Sequence, residues 1–187
     1  RGEAVHAGGQ RGTDRGVPVG VALGDRLGGR ARGGGGHDDP LRGVLGEETF
    51  HRAFREYGRR WTNRHPYPYD FFNTMADVSG RDLGWFWTTW LYEPWPLDQA
   101  IASVTTRGDS TEIAIDDRGL APMPVKLAVT RAGGGVQRIE VPVDVWLAGA
   151  RRHVVRVPAL PAVVKVESDP DQLFPDMNRA NQSWQRR

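Results

Sequence analysis

With 187 residues, 39% of them hydrophobic, and a net charge of +2, the chain has material for one domain or two small ones. No apolar run is long enough for a membrane helix, and the absence of Cys excludes disulfides, thiolate metal sites and cysteine nucleophiles. So small a charge gives no footprint for nucleic acid, and 23 Arg against 2 Lys is the bias of GC-rich coding DNA.

Residues 1–40 hold 13 of the 24 Gly and none of the 17 aromatic residues. They show neither helical nor strand periodicity and no apolar core of a signal peptide. Two expectations follow: a disordered tail, too poor in apolar surface to offset its ordering entropy, or an out-of-frame stretch of GC-rich DNA. A nucleic-acid tail is set aside. Only Arg32-Gly33-Gly34 has that form, six Arg face five acids, and no aromatic is available for stacking. The first residue is Arg1 rather than Met, which suggests a fragment or a processed product. The compartment stays open between cytoplasmic and secreted or periplasmic.

Residues 41–98 read as helices. Phe50, Phe54, Tyr57 and Trp61 recur at helical spacing within Glu47–Trp61. Acids in its first turn and Arg59 and Arg60 in its last suit the helix dipole. Pro66 and Pro68 end that helix, and Pro68 can open the next, with Phe71, Phe72, Met75 and Val78 inward. Ser79-Gly80-Arg81-Asp82 has the form of a capping box. It predicts a third helix carrying Leu83, Phe86, Trp87, Trp90 and Leu91, stopped by Pro94 and Pro96.

From residue 99 the period changes. Short Val- and Ile-rich runs cover 101–104, 112–115, 125–129, 137–141, 143–147, 154–157 and 163–166. Gly-rich turn signals separate them, and Val125, Leu127 and Val129 alternate with Lys126 and Ala128. About seven short strands predict an antiparallel sandwich. Residues 169–184 read as a polar tail around Phe174-Pro175. The expected class is α+β, with helices at 41–98 and a β-sandwich at 99–187.

Candidate chemistry is thin. A zinc peptidase presents H-E-x-x-H on one helix face. The five His stand at 6, 37, 51, 65 and 153, and no two are four apart. Glu47 or Glu48 with His51 forms a conceivable metal pair, though a solvated helix face is the simpler reading. His37-Asp38-Asp39 has ligand-type residues inside the glycine-rich stretch. His65, before Pro66, is expected to be structural, and His153, beside a strand, to be exposed. No nucleophile elbow, phosphate loop or dinucleotide fingerprint is present. Arg107-Gly108-Asp109 is a common tripeptide in a turn. The aromatic cluster Trp85, Phe86, Trp87, Trp90 and Trp95 could line a ligand pocket, but at helical spacing it is expected to be core, with Trp85 and Trp95 its exposed members.

The order LGEETFHRAFREYGRRW, then HPYPYDFFNTMADVSGRDLGWFWTTWLY, LDQAI and the closing VESDPDQLFPDMNRANQSW resembles bacterial gluzincin (thermolysin-like) zinc aminopeptidases related to alanyl aminopeptidase. The resemblance spans Leu41 to Trp184. It implies the last helices of a thermolysin-like catalytic domain followed by that family's β-sandwich. It also implies a parent activity: removal of N-terminal residues from peptides by a zinc-activated water. In that family an H-E-x-x-H motif and a later Glu hold the zinc. A Tyr in Y-x-K-G, ahead of the L-G-x-E-x-F helix, stabilises the oxyanion. That place falls in Asp25–Arg32, which has neither Tyr nor Lys. No catalytic, cofactor-binding or metal residue is therefore assigned. No bound zinc is expected, and the missing upstream catalytic part becomes the expected intramolecular partner. The alternative is a non-catalytic sandwich module serving as scaffold or interaction domain.

Overall fold

The computed structural model describes residues 39–186. The expectations for residues 1–40, and for His37 and Asp38, lie outside it except at Asp39 and Pro40.

Four helices lead. α1 (Pro40–Leu45) has Pro at its first position, and Asp39 caps it by accepting from Leu41 N at 3.0 Å. α2 (Glu47–Trp61) has the bounds its apolar stripe predicts. Gly46 joins the two at φ 80° and ψ 155°, a conformation almost reserved for glycine. α3 (Pro68–Ser79) starts as its Pro predicts, with Asp70 accepting from Tyr67 N at 2.7 Å. Gly80 closes it in the left-handed region at φ 66°. α4 (Gly84–Trp87) runs on into a π-helical turn, Thr88–Tyr92.

α2 and α3 pack through buried Phe50, Ala53, Phe71 and Met75. Arg60 adds a bridge at their polar edge, holding Glu56 at 2.8 Å and Asp77 of α3 at 2.8 Å. Two expectations are corrected here. Phe54 lies at the rim of the stripe, 50% exposed, with its ring edge-on to Phe71 of α3 at 6.1 Å. The third helix does not start from a Ser79–Asp82 box: Ser79 ends α3, Leu83 is the residue before α4, and Asp82 accepts from Gly84 N at 2.8 Å.

The sandwich has two antiparallel sheets. One orders β1 (Gln99–Arg107), β2 (Ser110–Asp117) and β5 (Arg152–Pro158) as β1-β2-β5. The other orders β3 (Val125–Arg131), β4 (Val136–Val141), β6 (Val163–Ser168) and β7 (Ser183–Gln185) as β4-β3-β6-β7. Ile113, Ile115, Leu127, Val129 and Val166 are fully buried between them, worth roughly 1.5–3 kcal/mol each against exposure.

Seven strands are present among the described residues, but not the seven expected. The run 143–147 is a short helix, α5 (Asp144–Leu147). Pro142 interrupts the ladder after β4, and the turn drops Trp146, 5% exposed, onto the end of the core. His153 lies within β5 rather than beside it, half-buried and edge-on to Trp146 at 6.4 Å. The seventh strand, β7, forms inside the segment expected to be a polar tail.

That segment is built. Asp169, at φ 46°, accepts from Leu173 N at 2.8 Å, Phe174 N at 3.0 Å and Arg179 Nη1 at 2.8 Å. Arg179 also donates to the Phe174 carbonyl. The result is a tight loop that carries the Phe174 ring into the helical core, against the bare Cα of Gly43. That core also takes Leu97, Ala121 and Met123 from the sandwich side. No helix among the described residues is long and apolar enough to cross a membrane.

Candidate functional site

The metal candidates occupy ordinary structural places. His51 Nε2 lies 3.0 Å from Glu47 Oε2, with both side chains more than half exposed. The same carboxylate oxygen is 3.5 Å from Arg42 Nε, so a guanidinium already stands where a cation would bind. Among the described residues no three His, Cys, Asp or Glu side chains gather as a metal would require. This donor set does not fit a catalytic zinc, which takes three protein ligands in fixed geometry. Asp39 is the cap of α1; burial raises its carboxyl above the ordinary value, against the bonds from Leu41 and Arg42. His65 is exposed in the connection before α3. Glu48 is exposed on the first turn of α2. Arg107-Gly108-Asp109 turns β1 into β2, and the Asp109 carbonyl accepts from Ala159 N at 2.8 Å.

The aromatic cluster is largely core. Phe86 is fully buried and Trp87 is 7% exposed. Phe72 stacks on Trp87 at 4.3 Å, and Phe71 meets Tyr57 edge-on at 5.1 Å. Trp95 is 40% exposed, as expected. Trp85 is only half-exposed and packs against the helical core.

Two clefts flank this cluster. One, of about 420 Å³, lies between the start of α4 and the β4–α5 corner, lined by Arg81, Asp82, Trp85, Glu140, Asp144 and Leu147 among others. Its polar groups already serve the fold in part: Arg81 donates to the Val44 carbonyl at 2.7 Å, and Asp82 accepts from Gly84 N. The second, of about 380 Å³, runs between α3 and α4 under Tyr69 and Tyr92. The Tyr92 hydroxyl, hydrogen-bonded to Tyr69, is held above its ordinary value.

Three buried carboxylates among the described residues went unnoticed in the sequence, one of them Asp176, which accepts from Gln99 N at 2.8 Å. Asp169 organises the closing loop. Asp117, 5% exposed, ends β2 and meets Arg151 Nη1 at 2.8 Å. The only sequence signals were an Asp after a strand-forming run (Ser168-Asp169-Pro170) and the Asp116-Asp117-Arg118 turn. Such patterns are common in exposed turns.

No known family model and no curated protein matches the chain. Among solved structures it is similar to the crystal structure of Legionella pneumophila aminopeptidase A in complex with aspartic acid, with a TM-score of 0.50 and 13% identity. The likeness covers 69% of this chain but only 15% of that one. At that identity it establishes likeness of fold: this chain shares an arrangement of helices and β-sandwich with a short portion of an aminopeptidase.

Proposed function

We propose that the chain is a segment of a zinc aminopeptidase-related protein. On this reading it comprises the closing helices of the catalytic domain, up to about residue 98, and the β-sandwich that follows. The observation that carries the reading is the fold likeness to an aminopeptidase over 69% of this chain. The sequence order of the L-G-E-E-x-F helix, the D-F-F helix and the S-G-R-D-L turn points the same way. A further support is the helical surface itself. Phe54, Tyr67, Tyr69 and Tyr92 are each at least 50% exposed on it, more aromatic surface than a helical unit with no further neighbour would leave to water.

The role that follows is structural. In the whole protein, zinc would be supplied and held by residues upstream of α1, activating water for attack on the N-terminal peptide bond of a peptide substrate. The residues of this chain brace that part from behind, and no catalytic role falls to any of them. The test is direct. The purified 187-residue chain should retain no stoichiometric zinc after dialysis and should leave aminoacyl anilides intact. Retained zinc together with chelator-blocked hydrolysis would overturn the proposal.

A further inference from the structure

The helices and the sandwich are joined by residues 93–98, and that joint is clamped at backbone level. Arg118 N and Gly119 N donate to the Asp98 carbonyl at 2.8 and 3.1 Å. Leu120 N and Ala121 N donate to the Pro96 carbonyl at 2.9 and 3.1 Å. Gly119 sits so close to Pro96 O and Asp98 N that a Cβ there would collide with backbone. The clamp loop is in turn held by Arg151, which bridges the Asp117 carboxylate at 2.8 Å and the Gly119 carbonyl. Asp117 also gives its N–H to the Arg151 carbonyl at 3.0 Å, and it pairs with Gln99 in the β1–β2 register.

Asp117 is an awkward group to place there. Its side chain is only 3% exposed, and Oδ1 has no hydrogen-bond partner. The charged groups acting on it are Arg151 in the turn before β5 and Asp98 at the head of β1. Its sequence neighbours look outward: Asp116 pairs with Arg152 at 2.6 Å. Arg151 is 54% exposed and divides its guanidinium between two acceptors, so it compensates the buried charge only in part.

We propose that Asp117 is a proton-sensitive fastener of this joint: the clamp holds the helices to the sandwich more tightly when the carboxyl is protonated than when it is ionised. Burial is the main influence and raises the carboxyl from 3.8 to about 6; Arg151 opposes the rise and Asp98 adds to it. Between those two values the folded chain holds the proton more firmly than the unfolded chain. Stability therefore falls as pH rises from 3.8 to about 6, and is flat on either side. This runs against the usual carboxylate trend. Glu56, drawn down to about 2 by hydrogen bonds from Arg59 and Arg60, and Asp116, lowered by Arg152, act in the opposite sense and only at more acid pH.

The test uses the full chain and Asp117→Asn, which keeps the shape without the charge. Asp117→Asn should melt higher than wild type near neutral pH. Its advantage should shrink by about tenfold in folding equilibrium constant between roughly pH 7.5 and pH 5. The five His are common to both chains and cancel in the difference. Hydrogen exchange at the amides of Arg118, Gly119, Leu120 and Ala121, corrected for intrinsic rate, should slow in wild type over the same range and stay constant in the variant. A carboxyl NMR titration of wild type should place the Asp117 midpoint at about 6. A pH-independent difference between the chains, unchanged exchange at those four amides, or a midpoint at or below 3.8 overturns the proposal. If Asp117→Asn does not fold, the wild-type titration and exchange decide alone.

Discussion

Asp169 shows how much one side chain can organise. Its carboxylate answers two backbone N–H groups and the Arg179 guanidinium, while its own backbone sits at positive φ. Asn and Asp tolerate that conformation better than other residues bearing a Cβ. Asp169→Ala removes the acceptor, strands the two N–H groups and keeps the strain. The expected loss is about 3 kcal/mol, the low end for breaking a buried pair because Arg179 can turn to water. Asp169→Asn, which keeps one acceptor and the tolerated backbone, should lose less. Chemical denaturation of both variants measures the difference. The residue was not legible in advance, because what makes it important is where Phe174 goes, and a linear chain does not display that.

At the scale of elements, legibility followed periodicity. α2 was readable to the residue, since an amphipathic stripe, acids at the start and basic residues at the end all agree. The Val- and Ile-rich strands were readable for the same reason. The 143–147 run was not: Val, Trp and Leu fit a strand locally, and only the break after Pro142 and the hole over the core turn it into a helix. The pair Glu47 and His51 was read the simpler way, as a solvated helix face, and both side chains are more than half exposed, with an arginine from α1 at the carboxylate. Glycines at element ends carry a matching prediction. Gly46 has open space where a Cβ would stand, so Gly46→Ala is penalised by its backbone conformation alone, by about 1–3 kcal/mol. Gly58, inside the last turn of α2 and equally unobstructed, should gain about 0.5–1 kcal/mol from the same change. Paired thermal melts check both signs, and equal effects would refute the distinction.

At the scale of the whole molecule, the two hydrophobic clusters are organised unequally. The sandwich core draws its buried residues from positions 113–166 alone, whereas the helical core borrows Leu97, Ala121, Met123 and Phe174 from beyond the helices. The dependence is therefore one-sided: the sandwich contains its own core, and the helices need the sandwich's loops. The exposed aromatic side chains of α2, α3 and the π-helical turn, Phe54, Tyr69 and Tyr92, lie on the helical part as well.

The Phe174 insertion also sets an order of events during synthesis. The helices leave the ribosome first, yet the ring that fills their core against Gly43 is encoded about 130 positions later. A nascent chain stopped before that ring has emerged holds helices with an open seat, and the sandwich must be largely translated before they can close. Contacts so distant in sequence are slow to form. A chain truncated after residue 172 should accordingly keep protease-resistant β-strands but be cut within α2 and α3, while the full chain resists at both. Equal resistance of the helices in the two chains would show that they close without the ring.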